Sequence, residues 1–79
     1  MPQFYFDLHD DMDVTDEEGR KLPDLETAHA YAMNLARFEI GQAVIARGKV
    51  LLSHRIDIEN GQGQVVGSLR FGDVVEIRP

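Results

Sequence analysis

The sequence predicts an α+β domain of two layers, an antiparallel sheet of about four strands with one long helix packed on one face. The expected order is β-β-α-β-β, with a short fifth strand as an option at the end. Three observations predict it. Apolar residues alternate with a period of two in Gln3–His9, recur at helical spacing from Leu25 to about Ala46, and alternate again from Val50 onward around the loop Asn60-Gly61-Gln62-Gly63. Strands that each present one apolar face, with a single amphipathic helix between them, bury those faces best as one sheet under that helix.

The first strand rests on Phe4, Phe6 and Leu8 pointing one way and Tyr5, Asp7 and His9 the other. Met12 and Val14 carry the alternation onward. After the turn signal Glu18-Gly19 a short extended piece reaches Leu22-Pro23, so the two predict a loose hairpin. Asp24, just after Pro23, is placed to accept from the free amides of a helix start, and Glu26 favours the positive end of the dipole. The helix buries Leu25, Ala28, Ala32, Leu35, Ala36 and Ala43 on one stripe, with Glu26, Ala30, Asn34, Arg37 and Gly41 opposite. Gly48 is its expected left-handed stop, and Gly41 marks a place where it bends or ends early.

From Val50 the predicted strand places Val50, Leu52, His54, Ile56 and Ile58 on one face. A hairpin pairing Glu59 with Gln62 or Gln64 then sets Val65, Gly67, Leu69 and Phe71 on that same face. Gly72-Asp73 bends the chain before Val74–Ile77, a last extension or the short fifth strand.

Seventy-nine residues make one domain, 1–79, too small for a deep catalytic cleft; 43% hydrophobic and 28% charged residues suffice for a core. A formal charge of −6 without a dense Lys/Arg run repels phosphate backbones and argues against nucleic acid as a partner. The absence of cysteine removes disulfides, thiolate metal sites and thiol nucleophiles together and suits a reducing compartment. With no export signal and no aliphatic run longer than Val50–Leu52, the expected location is cytoplasmic, with no membrane contact.

Linked motifs run along the chain: Phe4-Tyr5-Phe6-Asp7-Leu8-His9-Asp10, then Asp16-Glu17-Glu18-Gly19, then Leu22-Pro23-Asp24-Leu25-Glu26-Thr27-Ala28. Together they resemble a family of small bacterial proteins classed as a domain of unknown function, over nearly the whole chain. The resemblance implies the fold and carries no activity to transfer. A looser likeness is to the HicB-type antitoxins, which also pair an acidic hairpin with a Pro-Asp-Leu helix entry. The Gly-Cys pair that follows theirs is missing here, as is an appended DNA-binding segment, so this likeness implies shared architecture at most.

The acids from Asp7 to Glu18 raise the question of a metal. Asp11, Asp13 and Thr15 imitate the first ligands of a calcium loop, but Asp16 stands where that loop needs glycine and Leu22 where it needs the bidentate glutamate. Asp7, His9, Asp11 and Asp13 share parity and form the remaining candidate for a divalent ion or small ligand, against the reading of a solvated acidic turn. His9, His29 and His54 lack the short spacing of a zinc site. His54 falls by parity among Leu52, Ile56 and Leu69, and is read as a neutral imidazole at the edge of the core or, alternatively, a pH-sensitive group.

Glu39 falls within the apolar stripe and is expected to reach solvent, Arg37 or Arg70 through a bend near Gly41. No nucleophile motif and no phosphate-cradling glycine run occurs, so catalytic residues, cofactors and enzymatic activity are not expected. The apolar face of the helix is wider than one sheet covers, with Tyr31, Phe38 and Ile45 flanking it on one side and Met33, Ile40 and Val44 on the other. Exposed apolar patches on small domains are contact surfaces, so Tyr31, Phe38 and Ile45 are the expected site of self-association or of a protein partner.

Overall fold

The structure, a computed structural model, describes residues 1–10 and 13–79. Seven elements follow one another: β1 (Gln3–His9), β2 (Asp13–Val14), β3 (Arg20–Lys21), α1 (Leu25–Arg47), β4 (Arg55–Glu59), β5 (Val65–Arg70) and α2 (Phe71–Val74). The strands form a five-stranded antiparallel sheet of order β2-β1-β4-β5, with β3 also paired to β1. The long helix lies across one face, so the α+β architecture is as expected.

The loose hairpin is present with its second arm divided. β2 pairs Leu8 with Val14 and His9 with Asp13, whereas β3 pairs Gln3 with Lys21 and Phe4 with Arg20. The gap between them is closed by a side chain: the Phe6 N–H donates to Asp16 Oδ2 at 3.2 Å, where an unbroken strand would present a carbonyl. The other Asp16 oxygen, Oδ1, accepts from the amides of Glu18 and Gly19, both at 3.1 Å. Gly19 has φ 72°, and a Cβ there would lie 2.7 Å from Tyr5 Cε2. Asp16 and Gly19 therefore make the turn and also heal the ladder.

α1 begins where Asp24 Oδ1 accepts from the Thr27 amide at 2.8 Å; the Thr27 side chain first, and then this amide, hold the Asp24 carboxyl below its ordinary pKa. It ends at Gly48, φ 69°, whose amide donates to Val44 O. The early end considered at Gly41 does not occur. The helix runs through to Arg47, because a glycine inside a helix weakens it without breaking it, and Ala36 and Ala43 are buried on either side of it in the chain. Ala28, Ala32, Ala36 and Ala43 are buried as predicted, and their small side chains let the helix sit close on Phe4, Phe6, Ile56 and Ile58. Leu25, also placed on that stripe, is exposed at 39%. The close approach shows again at Gly67, where a Cβ would lie 2.9 Å from His29 Nε2.

The strand expected from Val50 starts only at Arg55. Residues 50–54 instead form a turn, with the His54 amide bonded to Leu51 O; two of its other carbonyls meet the start of α2, Gly72 N–H donating to Leu52 O and Phe71 N–H to His54 O. That helix replaces the strand pairing that alternation suggested, so Phe71 caps the core rather than ending a strand, and Val74 is buried beside it. No strand covers Val74–Ile77; the fifth strand of the sheet is β3. The β4–β5 hairpin also differs from both expected registers. Asn60 closes the loop against Gln64, Glu59 faces Val65, and a bulge between Ile58 and Glu59 takes up one residue. Beyond it Ile58 faces Gly67 and Ile56 faces Leu69, so the predicted parity survives.

Glu39 is half-buried. It lines a cavity of about 30 Å³ with Asp10, Arg47, Lys49 and His54, while Arg37 instead donates from Nε to Val74 O at 2.9 Å. His54 is also half-buried and meets the Phe71 ring edge-on at 5.8 Å.

Candidate functional site

Two features stand out once the layers are assembled. The first is the sheet face turned away from α1. Antiparallel pairing of β1 with β4 sets Asp7 opposite Asp57, Tyr5 opposite Glu59 and His9 opposite Arg55; on β5, Ser68 lies opposite Asp57. Asp7 and Asp57 are only 7% and 8% exposed although no helix covers them, because their neighbours close over them. Like charges directly across two strands repel. The arrangement persists because each carboxylate is supplied with donors.

Asp57 Oδ1 accepts from Ser68 Oγ at 2.8 Å and from Arg55 Nε at 3.2 Å, and its Oδ2 lies 3.1 Å from His9 Nε2. The other ring nitrogen, His9 Nδ1, lies 3.0 Å from Asp13 Oδ1. Each ring nitrogen of His9 faces a carboxylate oxygen. His9 thus links β2 to β4 across β1. Asp7 Oδ1 accepts from the Asp16 amide at 2.9 Å, and its carboxylate shares a hydrogen bond with Glu59.

Two carboxyl groups share a bond only through a proton. That bond raises the pKa of Glu59, with the charge of Asp7, desolvation and the charge of Asp57 acting in the same direction and His9 against them. Burial also works to raise Asp16, but the amides of Gly19, Phe6 and Glu18 and the guanidinium of Arg20 together hold it below its ordinary value.

Of the residues expected to gather for an ion, Asp7 and His9 lie side by side on the open face, and Asp13 joins them through His9. Asp11 lies outside the described residues. Among the described residues no group of three or more His, Asp or Glu side chains is arranged to hold a metal ion. Sequence reasoning missed Asp57 and Glu59, which complete the cluster, and the pivotal Asp16. The alternation of Asp57 and Glu59 with Ile56 and Ile58 was visible; that β4 would lie beside β1 was not.

The second feature is the flank of α1. Phe38 and Ile45 are exposed at 60% and 81%; Val44, on the opposite flank of the helix, is exposed at 49%. Tyr31 lies on the stripe of Phe38 and Ile45 and fares differently. Its ring packs 4.7 Å from that of Phe6, and the Arg20 guanidinium lies 4.7 Å above it. The helix buries Ala28, Ala32, Ala36 and Ala43 along one face, and Phe38 and Ile45 lie off that face and stay exposed. Beside Tyr31 a groove of about 190 Å³ is lined by Asp16, Glu18, Gly19 and Arg20, with Phe6 and Leu35 at its base. None of the helices among the described residues is long and apolar enough to cross a membrane.

Fold and surface together define a small two-layer α+β domain with a hydrogen-bonded acid and histidine face and a bare helix flank. The chain belongs to the family described as a domain of unknown function, DUF6894, whose model matches residues 3–72. No curated protein and no solved structure matches it.

Proposed function

We propose that this is a non-enzymatic cytoplasmic domain of a bacterial cell that works by protein contact, with the flank of α1 as the contact surface. The observation that carries this reading is the exposure of Phe38 and Ile45, at 60% and 81%, about two turns apart on a helix otherwise anchored to its sheet. A net charge of −6 keeps nucleic acid outside this reading. Replacing Phe38 and Ile45 together by serine removes the apolar surface without touching the core. In sedimentation experiments and in affinity capture from the native cell, the double variant is expected to lose association that the unaltered chain shows. A chain that stays monomeric at high concentration and recovers no partner sinks the proposal.

The alternative, a divalent-ion or small-ligand site on Asp7, His9, Asp11 and Asp13, draws on the proximity of Asp7, His9 and Asp13. It has less support, because His9 spends both nitrogens on carboxylates and Asp7 is committed to the Asp16 amide and Glu59. Titration with calcium, magnesium, manganese and zinc while following amide shifts separates the readings. Unmoved signals from the acidic turn remove this one.

A further inference from the structure

β5 forms one border of the sheet and pairs with β4 alone. The Phe71 amide bonds to His54 O, and hydrogen-bonded pairs alternate along an antiparallel ladder, so Leu69 and Gly67 turn their backbone groups toward β4. Ser68 and Arg70 turn theirs outward. An edge of this kind is a template for another extended segment.

A segment with a matching pattern lies in the same chain. Val75 is extended, with φ −133° and ψ 154°, and packs on the core; beyond it Glu76, Ile77, Arg78 and Pro79 are exposed, Ile77 at 69%. In its own copy this segment is led away from β5, because α2 intervenes and Arg37 Nε holds Val74 O from the side of the long helix.

Laid antiparallel along β5, the segment fits in one register, with Glu76 opposite Arg70, Ile77 opposite Leu69, Arg78 opposite Ser68 and Pro79 opposite Gly67. Ile77 then joins half-buried Leu69 on the side of α1. Arg70 is exposed, faces the like charge of Arg55 and has no carboxylate partner among the described residues, so Glu76 supplies what it lacks. Arg78 arrives beside Ser68, whose hydroxyl already bonds to Asp57. The backbone agrees with the side chains: Glu76 and Arg78 meet the outward groups of Arg70 and Ser68, and Pro79, without an N–H, falls where none is called for. A slip of one residue turns Ile77 onto the acid face. A slip of two in either direction brings like charges together, Glu76 near Asp57 or Arg78 on Arg70.

We propose that Glu76–Pro79 of one copy of this chain adds as a strand to β5 of a second copy and receives the second copy's segment in return, forming a two-fold dimer in which each Glu76 pairs with the other's Arg70. This surface is separate from the flank of α1, so the inference stands apart from the contact reading above.

Sedimentation equilibrium on the unaltered chain, on Arg70→Glu, on Glu76→Arg and on the double variant tests it. Both side chains are exposed, so the variants are expected to remain folded. Each single reversal should weaken dimerisation about tenfold, and the double variant, with opposite charges restored in exchanged places, should recover most of that loss. Amide exchange at Ser68 and Arg70 should slow in the dimer.

A double variant that dimerises no better than the single ones overturns the pairing, as does fast exchange at Ser68 and Arg70 in a dimer. A chain that is monomeric at millimolar concentration overturns it as well. A dimer that Phe38→Ser and Ile45→Ser abolish and the charge reversals leave intact overturns it in favour of the flank of α1.

Discussion

Gly19 shows how much a single position on this chain is asked to do. Its backbone is left-handed, φ 72°, and the ring of Tyr5 fills the space where a side chain would begin, 2.7 Å from the place of a Cβ. Either demand alone selects glycine. Gly19→Ala meets both, and is expected to cost about 1–3 kcal/mol in urea unfolding, the range for a residue held in a sparsely populated conformation. A loss of a few tenths or less would show that the Tyr5 ring moves aside and the turn relaxes. The motif Asp16-Glu17-Glu18-Gly19 thereby acquires a physical meaning. Asp16 needs the amides of Glu18 and Gly19 to come round to it, and only glycine at the end of the turn lets them.

At the level of elements, the β4–β5 hairpin depends on one side chain. Asn60 Oδ1 accepts from the amides of Gln62 and Gln64 at 2.9 and 3.0 Å, and its Nδ2 donates to Gln64 Oε1. Asn60→Ala is expected to destabilise by about 1 kcal/mol, as for an exposed turn losing its side-chain bonds. Thermal denaturation by circular dichroism checks this; an unchanged midpoint would mean that Gly61 and Gly63 shape the loop unaided. The elements readable in the sequence were those whose causes are local. Asp24 and Gly48 cap α1 with atoms of the helix itself, and alternation in Gln3–His9 and Val65–Arg70 reports faces that the neighbouring residues already define.

Where causes are distant, the sequence was silent. Val50–His54 alternates like a strand but bonds its Leu52 and His54 carbonyls to the amides of Gly72 and Phe71, which no local pattern announces. The cluster of Asp7, His9, Asp57 and Glu59 depends on β4 lying beside β1, a matter of strand order. Periodicity placed Tyr31, Phe38 and Ile45 on one stripe, yet Tyr31 is covered by Phe6 and Arg20, contacts that depend on where β1 and β3 lie against the helix.

Across the whole molecule, opposed carboxyl groups shape the response to pH. Glu59 has a raised pKa in the fold, so its contribution is complete below the unfolded value of 4.5 and is lost as pH rises through the folded value. Asp16 has a lowered pKa, so its contribution is present above 3.8 and is lost as pH falls through its folded value. The two together narrow the range of greatest stability from both sides. Glu59→Gln keeps a hydrogen-bond donor for Asp7 and removes the ionisation. Relative to the unaltered chain, the variant is expected to gain stability as pH rises above 4.5, measured as melting temperature across a pH series. Parallel profiles for the two proteins would show that Glu59 does not hold the shared proton.

The divided second arm of the amino-terminal hairpin has one more effect, on the behaviour of the protein in a crowded solution. A continuous outer strand offers its unpaired amides and carbonyls to any extended chain that drifts past, and such templates seed fibrils. On this side of the sheet the outer strand is reduced to two residues at each end, and between them the Phe6 amide is already taken by Asp16. An intruding segment meets a negative charge in place of a docking ladder, so this border is closed to runaway polymerisation by the same carboxylate that completes the fold.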